Sequence, residues 1–331
     1  MSALTKLKNR RREKSGPKIT RRQAAGFWGN LCYDIKHNPF LLLLCLPAVV
    51  FFLIFDYSPL VYLVAAFKKY STVKGLWGSD WVGFKNFKAF FGSTAFFRVT
   101  FNTIFLNFLF IATNMVVSIF TAIALSEITA KKFKKITQSI VILPHFLSWA
   151  IVAMIFETVL RTDNGLINQI LVGLGFEKIN FYQNADVWPG LLVALNTWKG
   201  AGYGSIVYLA TIAGLDQEMY EAARVDGATR GQCIRYLTLP LLKNTAIMLF
   251  ILKIGGLFGG NFSMIYTLIG NNSLLFRTTD VINTYTYRML IESNNIGQSS
   301  AIGLWQSVMG VFMVMTTNAI AKKADNESAL F

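Results

Sequence analysis

Charge and catalytic side chains are scarce in this sequence of 331 residues. Asp, Glu, Lys and Arg make up only 15% of it, against 53% hydrophobic residues, a balance foreign to soluble domains. Its three cysteines, Cys32, Cys45 and Cys233, form no C-x-x-C pair, so neither a disulfide nor a metal site is expected. Two histidines, His37 and His145, leave little room for zinc or triad chemistry. The chain contains no G-x-x-x-x-G-K-[ST] run and therefore no phosphate loop of its own; H-E-x-x-H and G-x-S-x-G are missing too. No cofactor and no covalent catalysis are expected within it.

What the sequence has is apolar length. A hydrocarbon core about 30 Å thick needs about 20 helical residues, and six segments approach or meet this: 40–66, 99–126, 136–158, 187–212, 241–269 and 297–320. The expected fold is an all-α polytopic membrane protein with six transmembrane helices. Asp56, Pro47 and Pro59 interrupt the first segment, so its outer end is expected to kink or lie in the interface. Pro144 and His145 sit in the third, which must then be buried in protein.

The formal net charge of +15 comes from basic residues at the ends of these segments, as membrane topology requires, so nucleic acid is not an expected partner. Residues 1–38 carry ten Lys and Arg and read as a basic cytosolic tail with affinity for membrane lipid. Alternate connections hold twenty Lys and Arg against ten, which places both termini in the cytosol. The connections on the opposite side are long and aromatic, as around Trp77 and Trp81. Two readings fit them: ordinary interfacial aromatics, or a mouth that meets an external binding protein.

The most informative stretch is Asp216 to Pro240, DQEMYEAARVDGATRGQCIRYLTLP. Asp216 suits the N-cap of a short helix with an acidic first turn, and Gly227 suits its left-handed C-terminal end. Thr229 and Gln232 have capping-box spacing for a second helix, and Pro240 marks entry to the next long one. Leu215, Met219, Ala222 and Ala223 are available for packing at a membrane face.

Glu221-Ala222-Ala223, three residues, Gly227, nine residues, then Leu237-Thr-Leu239-Pro240 resembles the EAA loop of the membrane subunits of binding-protein-dependent ABC importers; Leu237 stands where that family usually has isoleucine. LLLLCLPAVVFFLIFDYSP, AAFKKYS, GSDWVGFKNF and NTWKGAG are similar to the LplB-type branch, which serves oligosaccharide and polysaccharide-fragment uptake. The resemblance covers most of residues 38–321. It implies a type I (MetI-like) permease in a bacterial cell membrane: a tail at 1–38 and a permease domain at 39–331 with a cytosolic coupling loop at 213–240. It further implies a second homologous permease subunit, an extracellular solute-binding protein and two ATPase subunits that bind ATP and Mg. Coupling would fall to Glu221, Ala222, Ala223, Asp226, Gly227, Leu239 and Pro240, with Glu221 as a salt-bridge partner for an ATPase Arg or Lys.

Lys199 and Lys253 fall well inside expected spans, where a lysine costs about 2.5–3.5 kcal/mol on insertion scales. Asn196, Lys199 and Tyr203 share one helical stripe; Lys253 shares a face with Gly260, with Asn261 further round. These residues are candidates for a path that binds sugar hydroxyls, or an acidic sugar's carboxylate through the lysines; alternatively the lysines snorkel or bond backbone carbonyls. Gly255, Gly256, Gly259 and Gly260 fit either close helix packing or a bend at a gate. Rivals to the importer are an ion-coupled secondary transporter, which wants intramembrane carboxylates that the spans hardly offer beyond Asp56, and a membrane scaffold or sensor.

Overall fold

The computed structural model describes residues 39–324; the basic tail at 1–38 lies outside the described residues. Packing divides the chain into two units, residues 1–62 and 63–331. In the first, α1 (Pro39–Phe52) gives way to a π turn at Leu53–Tyr57, around Asp56, and then to 3₁₀ winding from Ser58. The interruption expected at the outer end of this segment is therefore a change of helical winding.

In the second unit, two short strands, β1 (Lys68–Lys69) and β2 (Asp80–Trp81), pair antiparallel. Lys68 is buried and donates to the carbonyls of Leu76 (2.9 Å) and Trp77 (3.2 Å), closing the turn between them. After α2 (Lys85–Phe91) comes α3 (Thr94–Ser126), 33 residues long. Its buried residues, among them Val99, Leu106, Phe110, Asn114, Ser118, Ala122 and Leu125, recur every three or four positions, the stripe of an amphipathic helix.

Residues 136–158 do not form the single span expected of them. They belong to α4 (Lys131–Ile142), a 3₁₀ turn at Leu143–Phe146 and α5 (Trp149–Val159), and the two arms of this pair are bent by 93°. Pro144 has no amide to continue the ladder, Leu147 and Ser148 are extended, and the Ser148 hydroxyl accepts from the Ile151 amide to start the new helix. Then follow α6 (Leu166–Gly173) and α7 (Trp188–Ala213).

Two short helices, α8 (Gln217–Val225) and α9 (Arg230–Cys233), precede a π turn at Ile234–Thr238 and α10 (Leu239–Gly255). Arg230 to Gly255 run on as one membrane-length stretch, and Pro240 stands in the first turn of α10, where the long regular helix is entered as expected. It lies directly after the wide π turn, which accommodates the missing amide. The expected span 241–269 is corrected at its far end. The helix stops at Gly255, Gly260 adopts φ +59°, and a separate helix α11 (Phe262–Ile269) follows. The chain closes with α12 (Phe276–Thr279), α13 (Ile282–Ile291) and α14 (Ile296–Ala324).

Among the described residues four helical segments are long and apolar enough to cross a membrane, Leu43–Phe67, Thr94–Ser126, Arg230–Gly255 and Ile296–Ile320, and the bent pair brings the number to five. Helix α7 is 26 residues long but carries Lys199 and several small residues.

Helices α3 and α7 run side by side in the same direction and form the spine of the unit. Gly200 and Gly204 of α7 face α3: a Cβ on Gly200 would meet Asn114 Nδ2 at 2.3 Å, and one on Gly204 would meet Ser118 Oγ at 2.5 Å. Lipid gives no hydrophobic drive to helix association, so close packing and interhelical hydrogen bonds carry it. Here they are Thr113 Oγ1 with Thr197 Oγ1 at 2.8 Å and Ser118 Oγ donating to the Ala201 carbonyl at 3.0 Å. Phe110, Trp188, Leu192, Met264 and Leu268 fill the core at one end, and Ala122, Tyr208 and Leu242 pack at the other.

Asp280 is wholly buried and pairs with Arg288 (2.6 Å) and Arg98 (3.3 Å). Asn102 donates to the carbonyls of Arg277 and Asp280, and the Ile282 amide donates to Thr103. These bonds fasten the α12–α13 segment to the start of α3.

Candidate functional site

The capping chemistry expected between Asp216 and Gln232 is present. Asp216 Oδ1 accepts from the Glu218 amide at 2.9 Å. At the other end of α8 the Ala228 amide reaches the Ala223 carbonyl (2.9 Å) and the Gly227 amide reaches the Arg224 carbonyl (3.1 Å), with Gly227 at φ +82°. This is a Schellman motif, and a left-handed residue is its requirement. The chain then turns directly into α9, whose N-terminus carries the reciprocal Thr229–Gln232 capping box.

Helix α8 is held on one side only. Tyr220 Oη lies 3.0 Å from Thr238 Oγ1 of the π turn, and Tyr220 and Arg224 border a cavity of about 340 Å³ shared with Glu127, Arg230 and Cys233. Glu221, Ala222 and Val225 lie on the outer side and are exposed, Val225 by 87%. Ala223 is half-buried, while Asp226, Leu239 and Pro240 are exposed. A nine-residue amphipathic helix with an uncovered outer face, clamped at both ends and bonded to a membrane helix, is suited to receive a push from a partner.

A second candidate region lies between α3, α7 and the end of α10. A cavity of about 280 Å³ is lined by Asn107, Phe110, Asn114, Asn196, Lys253 and Asn261, with Ile111, Gly256 and Gly260 completing it. Three of the five path candidates, Asn196, Lys253 and Asn261, thus meet around one space. Lys199 and Tyr203 are placed elsewhere. Lys199 Nζ donates to the His145 carbonyl at 2.8 Å and lies 5.2 Å from the Trp149 ring; Tyr203 stacks on His145 at 4.1 Å between centroids. Both brace the elbow of the bent pair.

The cavity sits where α10 breaks. Gln306 Nε2 of α14 donates to the Phe258 carbonyl (2.5 Å) and to Asn283 Oδ1 (2.6 Å), and Asn283 in turn donates to the Gly259 carbonyl. These amides satisfy backbone groups that the interrupted helix leaves open.

Residues 114–323, which hold α7, the capped pair, the long helix and its break, match the family model for the binding-protein-dependent transport system inner membrane component. The chain belongs to that family. The permease is 38% identical over 293 residues to the protein LplB of Bacillus subtilis (strain 168), covering 88% of this chain and 92% of that one. It is 36% identical over 297 residues to the polygalacturonan/rhamnogalacturonan transport system permease protein YteP of the same organism, covering 90% and 92%. Among solved structures it is similar to a chain of a bacterial ABC transporter involved in the import of the acidic polysaccharide alginate. That match has 33% identity and a TM-score of 0.81, covering 89% of this permease and 99% of that chain. A structure of the alginate transporter in complex with an alginate pentasaccharide-bound periplasmic protein matches with a TM-score of 0.80 and 33% identity, covering 88% and 97%.

Asn107, Phe110 and Asn114 of the permease were not singled out by the sequence reading. Their signal is present: Thr103, Asn107, Asn114 and Ser118 recur at helical spacing along the largely apolar α3 and are all buried. The surrounding apolar residues keep the mean hydropathy of α3 high despite them, yet buried polar groups at helical spacing in a span mark either a helix contact or a watery space. Here Ser118 serves the contact and Asn107 the space.

Proposed function

We propose that this permease is one membrane-spanning subunit of an ATP-driven importer that moves an oligosaccharide, delivered by an extracellular solute-binding protein, by alternating access. The single observation that supports the mechanism best is the construction of α8: capped at both ends, outwardly bare at Glu221, Ala222 and Val225, and bonded through Tyr220 to the helix that ends at the cavity. ATP and Mg belong to two partner ATPase subunits, in keeping with the lack of a phosphate loop in this sequence. Their groove takes α8; Glu221 pairs with an Arg or Lys there, the small Ala222 and Ala223 allow close approach, and Gly227 permits the turn that follows. The coupling loop at 213–240 and both termini then face the cytosol, and a second homologous permease completes the path. An oligosaccharide cargo is in keeping with the polysaccharide-linked transport systems among the relatives and solved structures.

The test is copurification of the complex followed by ATPase assay with a solute-binding protein loaded from a panel of oligosaccharides. Stimulation by at least one loaded form is expected. An ATPase that fails to copurify, or hydrolysis indifferent to every loaded form, overturns the reading.

A further inference from the structure

We infer that Lys253 is a specificity-determining residue of the cavity, reading the carboxylate of a uronate unit while the surrounding amides take its hydroxyls. The inference rests on the oligosaccharide reading above and goes beyond it by naming the sugar's charge and the residue that senses it.

Lys253 lies in the last turn of α10, with its side chain exposed at the cavity. An ammonium has three donors, and among the described residues this one makes a single, long hydrogen bond, 3.4 Å to Asn114 Oδ1. Ion pairs among the described residues lie elsewhere, at Lys74–Asp80, Arg98–Asp280, Arg277–Asp186 and Arg288–Asp280.

Contrast with Lys199 sharpens this. That lysine, in the middle of α7, donates to the His145 carbonyl at 2.8 Å and lies beside the Trp149 ring. Lys199 is occupied in holding the fold; Lys253 has donors to spare.

The remaining lining groups define the rest of the ligand. Asn107 Nδ2 donates to the Thr103 carbonyl at 2.8 Å, and its oxygen has no hydrogen bond among the described residues. Asn196 Nδ2 has only the Met264 sulfur at 3.8 Å, and the Asn261 side chain has no hydrogen bond among the described residues. Amides can both donate to and accept from hydroxyls, and the edge of the buried Phe110 leaves one wall of the cavity apolar. No Asp or Glu lines the cavity, so an anion entering it meets one cation and no like charge. One cation, several two-way amides and an apolar wall match a sugar acid more closely than a neutral sugar, which leaves the ammonium without a counter-charge.

The experiment is calorimetric titration of the intact purified complex, in detergent and without binding protein, using trigalacturonate and its carboxyl-reduced trisaccharide. Wild type is expected to prefer the acid roughly 10- to 100-fold, the span of a charge-assisted hydrogen bond, with the preference shrinking as salt rises. Lys253→Met is expected to bring the two affinities together by weakening the acid alone, and Lys253→Arg to keep most of the preference. If Lys253→Met does not assemble, Lys253→Gln replaces it in the same comparison. Equal wild-type affinity for both sugars, or a preference that survives removal of the charge, overturns the role of Lys253 and leaves the oligosaccharide reading standing. A wild-type complex that binds neither sugar overturns both.

Discussion

Gly227 separates backbone geometry from side-chain packing more cleanly than any other position in the capped pair. Its φ is +82°, and a Cβ built there meets nothing within 4 Å. Substitution by alanine therefore introduces no clash, and its whole effect is the left-handed penalty of about 1–2 kcal/mol. The chain has one alternative, to leave that conformation and lose the Ala228–Ala223 and Gly227–Arg224 hydrogen bonds, each worth about 0.5–1.5 kcal/mol. The routes are of similar size, so the variant sits about 1–2 kcal/mol above wild type by either. That corresponds to a fall of roughly 5- to 30-fold in the population of the formed turn.

In proteoliposomes holding the complete complex, Gly227→Ala is expected to insert and assemble normally while delivering less sugar per ATP hydrolysed. Gly227→Asn should be milder, because asparagine visits the left-handed region more readily, and Gly227→Val worse, because a β-branched residue resists it. The predicted order of coupling is Gly, Asn, Ala, Val. An alanine variant with wild-type uptake per ATP refutes the reasoning, as does an asparagine variant that couples no better than valine.

Further substitutions test the spine and its fastenings. Gly202→Ala places a Cβ 2.0 Å from the Val141 backbone carbonyl, so it should abolish stable assembly; Gly190→Ala in the same helix meets nothing and should gain up to about 1 kcal/mol, both read as melting temperature in detergent. Asp280→Asn leaves Arg288, 11% exposed in its side chain, without its buried partner and should lower stability by about 3–5 kcal/mol; adding Arg288→Met should restore part of the loss in a double-mutant cycle. Lys199→Met frees the His145 carbonyl, a loss of about 1–3 kcal/mol, and should raise the labelling rate of a cysteine introduced at Ser148 in the elbow.

Local chemistry was the legible part of this protein. The caps at Asp216, Gly227 and Thr229 depend on residues two to five positions apart, so sequence alone contains every participant. Long apolar runs were legible for the same reason, since crossing a membrane is a property of one segment. The failures around the cavity involve a partner from elsewhere in the chain. Asn196, Lys199 and Tyr203 share a helical face, but the bent pair brings His145 against that face and withdraws two of the three from the cavity. The break after Gly255 needs Gln306 and Asn283 to satisfy its carbonyls, and nothing near residues 256–260 announces them.

The long helix from Arg230 to Gly255 joins the two candidate regions and limits how they can act together. Its 26 residues extend about 39 Å, enough to cross the hydrocarbon core. One end carries the capping box and the Tyr220–Thr238 contact, and the other carries Lys253. A displacement imposed on α8 has two places to be absorbed along this rod. The first is the π turn at Ile234–Thr238, where the Thr238 hydroxyl reaches back to the Cys233 carbonyl at 3.5 Å. The second is the segment between Gly256 and Gly260, whose carbonyls are held by α13 and α14 through Asn283 and Gln306. The coupling end has an exposed, lightly bonded turn, whereas the cavity end is tied to two further helices. Movement that passes the π turn must therefore either carry α13 and α14 with it or change the shape of the break that lines the cavity. Both outcomes alter the surroundings of Lys253, so the proposed stroke on α8 would be mechanically linked to release of the carboxylate proposed to bind there.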